Sequence, residues 1–292
     1  MKTRSKLQAL LLVLVLTTGL QGNSQTSGYA PVNGLKLYYE IHGNGKPVVL
    51  LHGAYMNNTY WGETLTELAK TRQVIAVEMQ GHGRTADTDR PFSYENWGDD
   101  VAGLIKHLKI QKADVIGYSL GGTIALAFAI RHPEMVNRVV VVSSVYKYNG
   151  WNQQVRDILK AMKPEFFDGT PLKADYEKIA PRPGDWNKFV TKLMEFDKHD
   201  FNLGAENIKA MKAPVLLVQG DNDGVDLNET AEFYKLLGGG VSADLQPQPI
   251  SQLAIIPNRA HVSLMMYPKP VLDVIIPFLD GVPAPVPTFD HK

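Results

Sequence analysis

The sequence predicts an α/β protein with a mostly parallel central sheet, helices on both of its faces and a helical cap inserted between two strands. Three observations lead there. Short β-rich runs alternate with segments of helical spacing along most of the chain, as in a parallel sheet whose crossovers are helices. The runs PVVLL at 47–51 and RVVVV at 138–142 are almost continuously apolar, as strands covered on both faces must be. One connection, 145–212, is far longer than a single crossover helix requires.

The elements follow in order. Residues 35–41 (LKLYYEI) alternate as a strand, and a Gly-Asn-Gly turn separates them from the buried strand 47–51. Residues 73–79 (QVIAVEM) form the next strand. At 94–108, Trp97, Val101, Leu104, Ile105 and Leu108 recur at helical spacing. The strand 113–118 (ADVIGY) runs into a mostly apolar helix at 120–131, and 138–142 is the following strand. Strands at 214–220 (PVLLVQG) and 252–257 (QLAIIP) come late in the chain, with helices at 227–237 and, after Pro270, at 271–278. The insertion at 145–212 is rich in aromatic residues and interrupted by prolines, and it reads as a helical cap. The core is thus expected in two parts, 25–144 and 213–281. The Pro-rich stretch 282–292 is expected to be a flexible tail.

Residues 1–24 read as an address. Lys2, Arg4 and Lys6 precede an apolar stretch too short for a comfortable membrane span, and Gly22-Asn23-Ser24 follows. The expectation is a signal peptide cleaved after Ser24, and a secreted or periplasmic bacterial protein with no stable membrane association after its removal. Sequons at Asn57 and Asn228 are expected to be unused.

Composition narrows the function classes. The 292 residues are 44% hydrophobic and 21% charged, which excludes collagen-like, disordered and multi-pass membrane chains. Thirty Lys and Arg balance thirty Asp and Glu, so no basic footprint for nucleic acid exists. The chain has no cysteine, which removes disulfides, thiol nucleophiles and Cys-ligated metals together.

The chemistry-bearing motif is Gly117-Tyr118-Ser119-Leu120-Gly121, a G-x-S-x-G placed between a strand and a helix. A sharp turn there lifts the serine above the sheet edge. It also puts the Leu120 N–H at a helix N-terminus, where negative charge is favoured. A serine nucleophile needs a base, and the base needs an orienting carboxylate.

With Leu51-His52-Gly53, the Gly-rich stretch 80–85 (QGHGRT), Gly220-Asp221-Asn222-Asp223 and Ala260-His261, the elbow makes the chain from about 35 to 278 resemble the α/β-hydrolase superfamily, in the form of a serine esterase with a helical cap. The resemblance implies Ser119 as nucleophile and His261, after the last strand on a short loop, as base. It favours Asp223 as the acid, with Asp221 second. It also implies an oxyanion hole from the backbone N–H groups of Ala54 and Leu120. No acid follows the strand 138–142 in its own loop, so the alternative acid position looks empty. Tyr55, Met56, Trp61 and Tyr118 from the core, Trp151 and Trp186 from the cap, and Met265 beyond the base are the expected substrate-binding side chains.

No cofactor and no metal are expected. The implied activity is hydrolysis of a small-molecule carboxylic ester through an acyl-enzyme. Lactone hydrolysis, including bulky macrolide lactones, and cofactor-free perhydrolase or amidase chemistry are the alternatives. A binding protein reusing the fold is the non-enzymatic one. The oligomeric state is not legible.

Overall fold

A computed structural model describes residues 25–282. The expected signal peptide and residues 283–292 of the expected tail lie outside the described residues.

The chain opens with β1 (Gln25–Val32), β2 (Leu35–His42) and β3 (Lys46–Leu51), followed by α1 (Gly62–Ala69) and β4 (Arg72–Glu78). Then come α2 (Tyr94–His107), β5 (Ala113–Tyr118), α3 (Leu120–Arg131) and β6 (Val136–Val142). The insertion holds α4 (Gln153–Ala161), α5 (Pro171–Ile179), α6 (Trp186–Asp197) and α7 (Ala205–Lys209). The chain returns through β7 (Val215–Gly220), α8 (Leu227–Leu236), β8 (Gln252–Ile256), α9 (His261–Met266) and α10 (Lys269–Asp280).

The eight strands form one sheet in the order β1-β2-β4-β3-β5-β6-β7-β8. The pairs β1/β2 and β2/β4 are antiparallel, and every pairing from β4 onward is parallel. The apolar runs follow from burial on both faces. In β6, Val139 and Val141 join the core under α2, α3 and the insertion, whereas Val140 and Val142 join the core under α1 and α10. The same two-residue alternation splits Val49 and Leu51 from Val48 and Leu50 in β3. α3 is buried along nearly its whole length, so it is apolar all round rather than on one stripe.

Two elements carry no clear sequence signal. β1 is a polar edge strand with Gly28 and Pro31, and its pairing with β2 decides it. α1 is short and buries only Thr64, Leu65, Leu68 and Ala69. α10 starts earlier than expected because Pro270 is accepted in its first turn, where its missing N–H costs nothing.

The insertion is tied down by polar clasps. Lys192 Nζ in α6 donates to both Asp87 carboxylate oxygens (2.8 and 2.9 Å) and to the carbonyls of Thr88 and Arg90. Tyr60 Oη donates to Asp175 Oδ2 at 2.8 Å. Among the described residues, no helix is long and apolar enough to cross a membrane.

Candidate active site

Four loops at the carboxyl edge of the parallel strands converge. Ser119 follows β5, Asp223 follows β7, His261 follows β8, and His52-Gly53-Ala54 follows β3. This is where open α/β sheets place their ligands.

Ser119 has φ 53° and ψ −120°, a conformation that a non-glycine residue adopts only under constraint. Its N–H donates to the Val142 carbonyl at 2.9 Å, and its own carbonyl accepts from the Gly122 N–H (2.9 Å) and the Ser144 hydroxyl (2.6 Å). The flanking glycines are steric requirements. A Cβ on Gly121 would run into the Leu51 carbonyl, and one on Gly117 into the Gly121 carbonyl.

The hydrogen bonds form an unbroken chain. Asp223 Oδ1 lies 2.9 Å from His261 Nδ1, and His261 Nε2 lies 3.1 Å from Ser119 Oγ. An ionised carboxylate only accepts, so Nδ1 carries the proton and the bare Nε2 accepts the serine hydroxyl. Burial by itself would raise the Asp223 carboxyl. The hydrogen bonds from His261, Ser143 and the Gly220 N–H outweigh it and hold the group below its ordinary value. His261 opens α9 instead of sitting in a free loop, a difference from the expectation. Its carbonyl accepts the Tyr118 hydroxyl at 3.0 Å, and its ring lies against those of Tyr118 (5.1 Å) and Trp151 (5.7 Å).

Asp221 is exposed and bonds Asn222 and the Arg259 N–H, with no contact to the imidazole. Ser143 fills the position after β6 that sequence left empty. Buried and at φ 49°, it donates to Asp223 Oδ2 at 2.5 Å. No sequence signal marks it.

The loop after β3 is set by His52. The Gly53 carbonyl is occupied by His52 Nδ1 (2.8 Å) and the Met56 N–H (3.3 Å), and in a trans peptide the Ala54 N–H points the opposite way. Nε2 of His52 accepts the Met79 N–H at 3.3 Å, so Nδ1 is the protonated nitrogen. Burial lowers this histidine to about 4, which keeps it neutral. Ala54 and Leu120 line the same cavity as Ser119, and the Leu120 amide is the first in its helix, with no intrahelical acceptor.

The cavity measures about 630 Å³ between core and insertion. Tyr55, Met56, Tyr118 and Trp151 line it, as expected from sequence. Trp61, Trp186 and Met265 do not, and the expectation for these three is corrected. Trp61 is 2% exposed and packs with Leu65 and Leu68 in the core on the α1/α10 side of the sheet. Trp186 is 2% exposed inside the insertion, against Tyr176, Phe167 and Phe189 at 5.1–6.0 Å. Met265 packs against the α10 side. Aromatic content marked the insertion but could not say which rings face inward. Sequence reasoning missed Tyr94, Tyr148, Phe167, Phe196 and Asp197 in the cavity wall. Asn57 is buried, its side chain accepting from the Thr59 N–H and hydroxyl, so it caps a turn and does not line the cavity. Among the described residues, no group of three His, Cys, Asp or Glu side chains is placed to hold a metal ion.

A family model for the alpha/beta hydrolase fold matches residues 46–185. A 2-hydroxymuconate semialdehyde hydrolase of Pseudomonas sp. (strain CF600) is 39% identical over 115 residues, 38% of this chain and 41% of that protein. The match thus spans about two fifths of that relative. A pimeloyl-[acyl-carrier protein] methyl ester esterase of Nitrosospira multiformis is 27% identical over 273 residues, 84% of this chain and 98% of that one. A meta-cleavage product hydrolase structure from Pseudomonas fluorescens superposes with a TM-score of 0.68 at 22% identity, covering 88% of this chain and 98% of that one. Sheet order, nucleophile turn and these likenesses agree, and the chain belongs to the α/β-hydrolase superfamily.

Proposed function

We infer that the protein is a serine esterase, exported from a bacterial cell, that hydrolyses a carboxylic ester through an acyl-enzyme. The observation that carries this is the hydrogen-bonded chain Ser119–His261–Asp223 opening into a largely apolar cavity. Ser119 Oγ attacks the ester carbonyl carbon while His261 Nε2 takes the hydroxyl proton. The Ala54 and Leu120 N–H groups receive the oxyanion, a contribution of about 2.7–4 kcal/mol for each donor by precedent in other enzymes. The intermediate collapses, the alcohol leaves with the proton from Nε2, and water repeats the attack on the acyl-enzyme. A lactone opens by the same steps. Export is supported by the basic head and short apolar stretch of residues 1–24.

A relative named as a 2-hydroxy-6-oxo-2,4-heptadienoate hydrolase acts, by that name, on a carboxylate. Among the described residues no Lys or Arg lines this cavity, whereas Asp197 and Asp223 do, so a neutral ester fits the wall better than a carboxylate.

The test is 4-nitrophenyl butyrate turnover with intact-mass analysis after a fluorophosphonate probe. Wild type should turn over and gain one probe mass on Ser119, whereas Ser119→Ala should lose both. Ester hydrolysis by Ser119→Ala above about a hundredth of the wild-type rate would refute the nucleophile.

A further inference from the structure

One acid in the cavity wall has no part in the hydrolytic chain. Asp197, the last residue of α6, lines the cavity that holds Ser119, and its Oδ2 accepts the Tyr55 hydroxyl at 3.1 Å. Its carboxyl is half-buried, whereas the strongly buried acids outside the hydrolytic chain have cationic partners. Glu78 pairs with Arg84, Asp100 with Arg90, Asp114 with Arg72, and Asp87 with Lys192. Asp197 has none among the described residues, and only the Tyr55 hydroxyl offsets its loss of water. An uncompensated carboxylate is costly in such a place, and a ligand that brings a positive charge removes the cost.

The surroundings suit a cation as well. Tyr55, Tyr94, Phe167, Phe196 and Phe201 all face the cavity. Tyr55 and Phe167 rings lie 4.5 Å apart, and Tyr94 lies 5.1 Å from Phe196 and 4.5 Å from Phe201. Aromatic faces attract alkylammonium groups, more so when water is excluded. Tyr55 is held at φ 65°, outside the regions ordinary side chains prefer, and in that conformation its hydroxyl reaches Asp197. Strain of this kind, about 1–3 kcal/mol per residue, persists where surrounding structure imposes it, and it gathers at ligand sites.

We propose that Asp197, held by Tyr55 among aromatic rings, binds the ammonium group of an amine-bearing ester or lactone and so sets the substrate class of this site. The proposal rests on the esterase reading and names its substrate class. The cation sits on the part of the substrate remote from the scissile bond, where binding energy serves orientation.

The experiment uses butyrate esters of trimethylammonio alcohols with two to six methylenes, each beside its neutral tert-butyl isostere, at pH 8. At the best spacing, wild-type kcat/KM should favour the cation by about tenfold or more, the range of a hydrogen-bond or ion contact to a charged group. In Asp197→Asn the charged-to-neutral ratio should fall toward one. A wild type that shows no preference for the cation at any spacing overturns the proposal, whether or not the variant folds. So does a ratio that survives in Asp197→Asn. Binding of tetraethylammonium against neutral tetraethylmethane analogues to the Ser119→Ala protein, read by calorimetry, gives the same contrast without turnover. Selective cation binding with no ester cleaved would reject the esterase reading and keep the site. Ester cleavage with no cation selectivity would do the reverse.

Discussion

Replacing Asp223 by Asn tests how the site holds its base. The carboxylate accepts on both oxygens. Oδ1 takes His261 Nδ1–H at 2.9 Å and the Val225 N–H at 3.3 Å, while Oδ2 takes the Ser143 hydroxyl at 2.5 Å and the Gly220 N–H at 3.3 Å. An amide has one acceptor end. With its NH2 at the Oδ1 position it faces the Val225 N–H and forces the imidazole proton onto Nε2, where it points at Ser119 and no base remains. With its NH2 at the Oδ2 position it faces the Gly220 N–H and keeps the tautomer. The imidazolium that forms during attack then has no negative partner. Either arrangement removes transition-state stabilisation. Precedent for losing this carboxylate is about 10⁴ in kcat, or about 5.5 kcal/mol. Asp223→Asn should therefore lower kcat on 4-nitrophenyl butyrate by 10³–10⁴. The exposed Asp221→Asn should stay within about threefold, in line with the small effects of substitutions away from buried networks. Both variants should melt cooperatively. Retention of more than a tenth of the rate in Asp223→Asn, or an equal loss in Asp221→Asn, would refute the orienting role.

Trp151→Ala should change the kcat/KM ratio between bulky and small esters, because its ring lies 5.7 Å from His261 in the cavity wall. Trp186→Ala should instead lower stability by about 3–5 kcal/mol, read by denaturant melts, because that ring fills the interior of the insertion. A ratio change from Trp186→Ala without loss of stability would reverse the assignment. Burial pushes Asp197 up to about 7 from 3.8, so the folded chain binds this proton more tightly than the unfolded one. Its stabilising effect is complete below about pH 4 and is lost as pH rises through about 7. Asp197→Asn should accordingly raise Tm more at pH 8 than at pH 4.5, and an equal shift at both would contradict the half-buried, unpaired carboxyl. Gly121→Ala should abolish soluble folded protein or activity, since its Cβ meets the Leu51 backbone. A normally active variant would contradict that close approach.

The sequence by itself predicted most of the sheet and singled out Ser119, Asp223 and His261, which the fold brings into one hydrogen-bonded chain. Strands buried on both faces leave continuous apolar runs, so β3, β5, β6 and β7 were legible within a residue or two. The nucleophile turn needs small residues at fixed offsets from Ser119, because backbone carbonyls occupy the space where side chains would stand. The order of acid and base that the α/β-hydrolase resemblance implies then limited the choice to Asp223 or Asp221 and His261. Tertiary structure decided what has no local period. β1 is a strand because β2 pairs with it, and Ser143 supports Asp223 only because β6 and β7 are neighbours in the sheet. The aromatic residues of the insertion have the same composition whether they face the cavity or the interior. A bridge to Val225 in the loop after β7 places Trp151 beside His261, whereas Trp186 packs inside the insertion. Asp197 reads in sequence as one more charge near a helix end. It becomes an unpaired acid beside Tyr55 only when the insertion folds over the loop after β3, 142 positions earlier in the chain.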